Sequence, residues 1–250
     1  MDRNDTKKLA QSLFGRQKAP GFQTEETGKI LPIRSMIEEL LKLDDESFGF
    51  YAWSREPLER KFSMEQKRNY IQRATECGIE EARWLKTEYG AGEPDVIAKK
   101  LGLKVETPEM PVGGGHVIFA QYVEPDEITI FMDAVNRAEL LMEKQGLGDL
   151  FPNLPVYQLL LAHEIFHAVE YRNRDSIFTR TEKIELWRKP FSNRSEIIAL
   201  SEIAGMAFAR ELLGLSFSPY LFDVLLMYGY HEEAATAIYE EIKEIAAATA

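Results

Sequence analysis

Val156-Tyr157-Gln158-Leu159-Leu160-Leu161-Ala162-His163-Glu164-Ile165-Phe166-His167-Ala168-Val169-Glu170-Tyr171 reads as one helix, apolar almost all round. Its single polar stripe is His163, Glu164, His167, Glu170 and Tyr171. At about 3.6 residues per turn, His163 and His167 lie one turn apart on one face, where both imidazoles can reach one metal ion. Glu164 falls about 100° further round, unsuited as a third ligand but placed to take a proton from a water beside the ion. The bland alternatives are a solvated stripe on a half-exposed helix, or core histidines satisfied by carbonyls. Burying two imidazoles and a carboxylate without a strong partner would cost several kcal/mol, which favours the metal.

A hydrolytic site needs a third protein ligand and an open position. Positions 168–180 contain no histidine, so the H-E-x-x-H-x-x-G-x-x-H pattern is excluded. A helix expected over 193–214 offers two carboxylates. Glu196 follows Asn193 by three residues, the spacing of a capping box, which explains it without a metal. Glu202 has Ile198, Ala199, Gly205 and Met206 about one turn away, so its carboxylate points into the core and must be protonated, paired or bound to a cation. Ala199, Gly205 and Ala209 would let this helix approach another closely. Glu202 is therefore favoured over Glu196, against the alternative of a buried ion pair with Arg172 or Arg210. Candidate donors for stabilising a developing oxyanion are Tyr171, Tyr157, His116 and His231, each with an ordinary reading as packed aromatic or surface histidine. Glu170 is a candidate to orient a ligand imidazole.

Working outward, residues 133–145, 219–229 and 231–248 also read as helices, with Pro152, Pro155, Pro190 and Pro219 at the joints. Upstream, Pro94 leads a short helix to Leu101, Leu103–Glu106 alternates as a strand, and His116–Tyr122 with Glu127–Met132 form a hairpin about Glu124-Pro125-Asp126. Gly113-Gly114-Gly115 matches no phosphate-binding fingerprint and reads as a loop. Gly90-Ala91-Gly92-Glu93-Pro94 is the best candidate boundary, separating a mostly helical N-terminal extension (1–90) from a second domain (91–250). Within the extension, the first thirty or so residues read as a mobile or draped segment. Ser35 is expected to cap a helix through Leu43, residues 44–61 to form a packed loop, and 63–76 and 79–89 two helices. The expected fold is α+β, mostly helical, with a small antiparallel sheet packed against the helices.

Composition narrows the function classes. The chain has 250 residues, 45% of them hydrophobic, with 30 Lys+Arg against 41 Asp+Glu and a net charge of -11. That excess repels phosphate backbones and anionic lipid, so no direct nucleic-acid partner is expected. Mean hydropathy of -0.29 fits a globular chain, and no apolar run approaches the roughly 20 residues of a membrane span. One cysteine, Cys77, excludes an intramolecular disulfide framework and multi-cysteine metal sites. The polar start, Met1-Asp2-Arg3-Asn4-Asp5, is unlike a signal peptide, and a cytoplasmic location is expected.

Residues 94–214 resemble the ImmA/IrrE family of bacterial zinc-dependent metallopeptidases. The resemblance is carried by Leu101-Gly102-Leu103 before a strand, the hairpin, Ala162-His163-Glu164-Ile165-Phe166-His167, and Glu202-Ile203-Ala204-Gly205-Met206-Ala207-Phe208-Ala209-Arg210-Glu211-Leu212-Leu213. Met206 stands where the family usually has asparagine, and Gly214-Leu215 replaces a proline common after the leucine pair. The resemblance implies a zincin-type (HExxH…E, gluzincin-like) domain over 91–250, one zinc per chain held by His163, His167 and Glu202, and Glu164 as catalytic base. It further implies regulatory proteolysis of a protein or peptide substrate, in some members a helix-turn-helix repressor. No helix-turn-helix pattern is evident in residues 1–90. Competing readings are a non-catalytic regulatory protein-binding module with a structural metal, and a metal hydrolase acting on small amides or esters.

Overall fold

The computed structural model describes residues 30–90, 92–109, 118–152, 155–187 and 193–250. The N-terminal segment 1–29, the glycine run 113–115, Pro190 and His116 lie outside the described residues. The fold is α+β and mostly helical. In chain order its elements are α1 (Ile33–Leu40), α2 (Asp45–Ser54), α3 (Met64–Tyr89), α4 (Pro94–Lys100), β1 (Lys104–Glu106), β2 (Ala120–Val123), β3 (Glu127–Ile130), α5 (Met132–Lys144), α6 (Val156–Arg172), α7 (Phe178–Thr181), β4 (Lys183–Trp187), β5 (Asn193–Glu196), α8 (Ile198–Leu213), α9 (Leu221–Tyr228) and α10 (Glu232–Thr249). No helix among the described residues is long and apolar enough to cross a membrane.

The expected antiparallel sheet is mixed. In the order β1-β3-β2, β2 and β3 pair antiparallel, with Tyr122 opposite Ile128, while β1 runs parallel to β3, with Val105 opposite Ile128. The connection from β1 to β2 carries the chain to the far edge, and the hairpin return then places β3 in the middle. A second, two-stranded sheet pairs β4 with β5 and was not expected. It takes Asn193–Glu196 away from the predicted helix, which begins only at Ile198, so the supposed capping box of Glu196 does not form.

Three expectations in the N-terminal region are also corrected. Residues 45–54 form helix α2, capped by the Asp44 carboxylate, which accepts from the Ser47 amide at 2.8 Å. Phe48, Gly49, Phe50, Tyr51, Ala52 and Trp53 are all buried, so no polar face gives the helix a period. Helix α1 starts at Ile33, with Pro32 rather than Ser35 as its first flanking residue. Helix α3 is continuous where two helices were expected. Ser63 and Gln66 form a reciprocal capping box at its start, at 2.8 and 3.2 Å. Mid-helix Gly78 lies against α8 so closely that a Cβ there would stand 2.0 Å from the Ala204 carbonyl oxygen. The missing side chain thus lets α3 and α8 run side by side.

Helix α6 occupies the centre, buried from Val156 through Glu170 except at Tyr157 and Gln158. It packs on α8 along one side and on β2 and β3 along another. A single hydrophobic cluster joins Ile33, Trp53 and Ile71 to Phe166, Phe208 and Ile242, so the segment before Gly90 and the segment after Pro94 share one core.

Candidate metal centre

Because α6 is apolar all round, its polar stripe is carried into the interior. His163 and Glu164 are 0% exposed, His167 2%, and Glu202 on α8 1%. The Nε2 atoms of His163 and His167 face one another at 3.0 Å. Glu202 reaches both, with Oε2 at 3.4 Å from His163 Nε2 and Oε1 at 3.8 Å from His167 Nε2. One donor atom from each of the three lies within 4.8 Å of the others. A tetrahedral ion with bonds of about 2.0–2.1 Å sets its donors about 3.3 Å apart, so this buried triad could hold a metal ion. Glu202, favoured on sequence over Glu196, is the carboxylate brought to the histidines.

Close approach of α8 to α6 depends on Gly205. A Cβ at that position would stand 2.9 Å from His163 Cε1 and 3.0 Å from its Nδ1. Burial pushes the His163 imidazole down to about 3, against the opposing charge of Glu170, so the ring is neutral at ordinary pH and its lone pair is available. Burial, and then the charge of Glu202, push the Glu164 carboxyl well above the usual range. The backbone amide of Tyr122 on β2 acts in the other direction. Neither Glu164 oxygen makes a hydrogen bond of ordinary geometry. A divalent cation at the triad would invert this balance by favouring ionised carboxylates.

Behind His167 lies a polar chain that the sequence signalled only at Glu170. Ser201 Oγ stands 3.3 Å from His167 Nδ1 and donates to Glu170 Oε2 at 2.9 Å. Glu170 also accepts from Thr179 Oγ1 at 2.5 Å and pairs with Arg180 at 3.1 Å. Burial alone would raise the Glu170 carboxyl, but His167, Arg180 and Thr179 together hold it below its ordinary value. Ionised Glu170 thus anchors the far side of the His167 ring, as metal-binding imidazoles commonly require. Thr179 and Arg180 come from α7, after the chain reverses at Asn173–Ser176, and nothing in their local sequence points back to His167.

The remaining candidates are engaged elsewhere. Glu196 sits on β5 with its side chain half exposed, pairing with Arg180 at 3.0 Å and Lys183 at 3.5 Å. Arg172 donates to the Leu101 carbonyl at 2.7 Å, and Arg210 pairs with Asp45 on α2. Tyr157 donates to Asp95 Oδ1 at 2.8 Å, outside the buried site. His231 caps α10, its Nδ1 accepting from the Ala234 amide at 3.3 Å. Tyr171 is partly buried, its ring centroid 6.5 Å from that of Tyr122, with the Arg174 guanidinium over its face. No family model, curated protein or solved structure matches the chain.

Proposed function

We propose that the protein is a zinc-dependent endopeptidase that hydrolyses a peptide bond in a specific cytoplasmic protein. The observation that carries this reading is the conjunction of two features. His163, His167 and Glu202 converge their donor atoms in the core, and next to His163 in the chain stands a buried carboxylate, Glu164, whose oxygens make no hydrogen bond of ordinary geometry. Two imidazoles and one carboxylate are a donor set suited to zinc with a position left for water or substrate. Bound there, zinc would polarise a carbonyl and lower the pKa of a water.

The chain's own groups would do the rest. Glu164 would accept a proton from the attacking water and return it to the departing amide nitrogen, acting first as general base and then as general acid. The chain of Ser201 and Glu170 would keep the His167 ring in place. The Tyr122 amide on β2 faces Glu164 and would steady its carboxylate. In this reading α6, α8 and the small sheet form a zincin-type core, and the resemblance to the ImmA/IrrE family suggests a helix-turn-helix repressor as substrate.

The near-complete burial of Glu164 and all three ligands favours one competing reading, a partner-binding module with a closed, structural metal. Elemental analysis of wild type beside Glu202→Ala tests the centre: one zinc per chain, weakened in the variant, is expected. Glu164→Gln then separates the two readings. The peptidase predicts retained zinc and loss of cleavage of a helix-turn-helix repressor, whereas a binding module predicts unchanged biological output.

A further inference from the structure

Glu56, in the turn after α2, is a carboxylate only 5% exposed, and both its oxygens accept hydrogen bonds from backbone amides. Oε1 accepts from Leu58 at 3.0 Å, closing its own turn. Oε2 accepts at 3.1 Å from Ala199, a distant residue in the first turn of α8. Helix α8 has need of that acceptor. Its leading residue, Ile197, has no side-chain oxygen to offer, and its first turn carries no acid. A buried amide at a helix start without a partner is costly, and the helix dipole favours a carboxylate there.

The turn that carries Glu56 is itself held. The Glu56 amide donates to the Trp53 carbonyl at 3.0 Å. The fully buried Trp53 ring meets Phe62 edge-on at 4.8 Å and lies 6.1 Å from the Tyr70 ring on α3. A second fixed point on α8 is Ala204, whose carbonyl oxygen comes so near to Gly78 of α3 that no side chain fits between them. Glu202 falls between the two points, three residues after Ala199 and two before Ala204. Ser201, which contacts His167 and Glu170, stands beside it. Both points are supplied by residues 30–90.

We propose that the segment 30–90 is a working part of the metal centre, with Glu56 a positioning residue that fixes the first turn of α8 and, through it, Ser201 and Glu202. The proposal rests on the metal-centre reading above. About one helical turn separates the Ala199 amide from Glu202, so releasing the amide lets the ligand-bearing turn fray and the carboxylate drift from the histidines. Residues that orient ligands from outside the coordination sphere commonly lower metal affinity about 10–100-fold when lost.

Glu56→Ala removes both acceptors, and Glu56→Gln keeps one. Each is compared with wild type by zinc affinity in competition with a chelator and by the visible absorption of the cobalt(II)-loaded protein. Both are measured at a temperature where the metal-free proteins are folded by circular dichroism, so that unfolding contributes nothing. Expected for Glu56→Ala are a zinc affinity lower by roughly tenfold and an altered cobalt spectrum, with Glu56→Gln between it and wild type. Zinc affinity within twofold of wild type would overturn the role of Glu56 while leaving the metal centre intact. Weaker binding with a wild-type cobalt spectrum would show the ligand geometry untouched and overturn it as well. Should Glu56→Ala not fold, Glu56→Gln decides by the same two criteria. Wild type that binds no zinc would overturn the metal centre itself, and this proposal with it.

Discussion

Gly205 on α8 lies against the imidazole of His163 on α6, with room for a hydrogen and none for a methyl: a Cβ would stand 2.9 Å from Cε1. The histidine ring and the helix that delivers Glu202 are therefore positioned by the same contact. Phe166, also on α6, would meet that Cβ at 3.4 Å from its ring, so the side chains around the glycine give little latitude.

Gly205→Ala is expected to move the His163 ring or push α8 outward, spoiling convergence with Glu202. Zinc affinity should fall by about tenfold or more, since a displacement of a few tenths of an ångström is large for bonds of about 2 Å. Alanine's better helix propensity, worth about 1 kcal/mol, offsets part of any loss of stability. A chelator competition titration checks this, and wild-type affinity in the variant would show that the ring has room to yield.

Glu170→Gln keeps the shape of the side chain and removes its charge. Arg180, only 16% exposed at its side chain, would lose its buried partner and keep only half-exposed Glu196. Breaking one side of a buried ion pair costs about 3 kcal/mol. Denaturant unfolding of the metal-free variant should report a loss of that order. Stability equal to wild type would mean that Glu196 alone suffices for Arg180.

Asp223 on α9 supplies a pH dependence of its own. Burial lifts its carboxyl from an ordinary 3.8 to about 6, against the charge of Arg55 and the Tyr51 hydroxyl. The folded state then holds this proton more tightly than the unfolded state. Its stabilising effect is fully present below pH 3.8 and is lost as pH rises through about 6. Asp223→Asn should remove this component, altering the change in unfolding free energy between pH 4 and 7 by about 2 kcal/mol. Equilibrium denaturation across that range checks it; parallel profiles for the two proteins would show that Asp223 titrates normally.

How much of this was legible beforehand depends on the range of the interactions involved. His163 and His167 share a face because four residues make about one helical turn, a property of the backbone alone. Glu202 could be singled out because its neighbours one turn away are apolar or small, which marks a carboxylate turned inward. Helices α5, α6, α9 and α10 appear close to their expected bounds because proline and the spacing of apolar residues punctuate them. Long-range packing decided the rest. Helix α2 carries no period because it is buried on every side, and Gly78 continues α3 because α8 lies against it. Residues 193–196 become a strand because β4 is there to pair with them. The support of His167 by Ser201, Glu170, Thr179 and Arg180 joins residues of three separate helices. Local preference acts over a few residues, whereas such contacts exist only once the helices have docked, so the candidate ligands could be read from the chain and their surroundings could not.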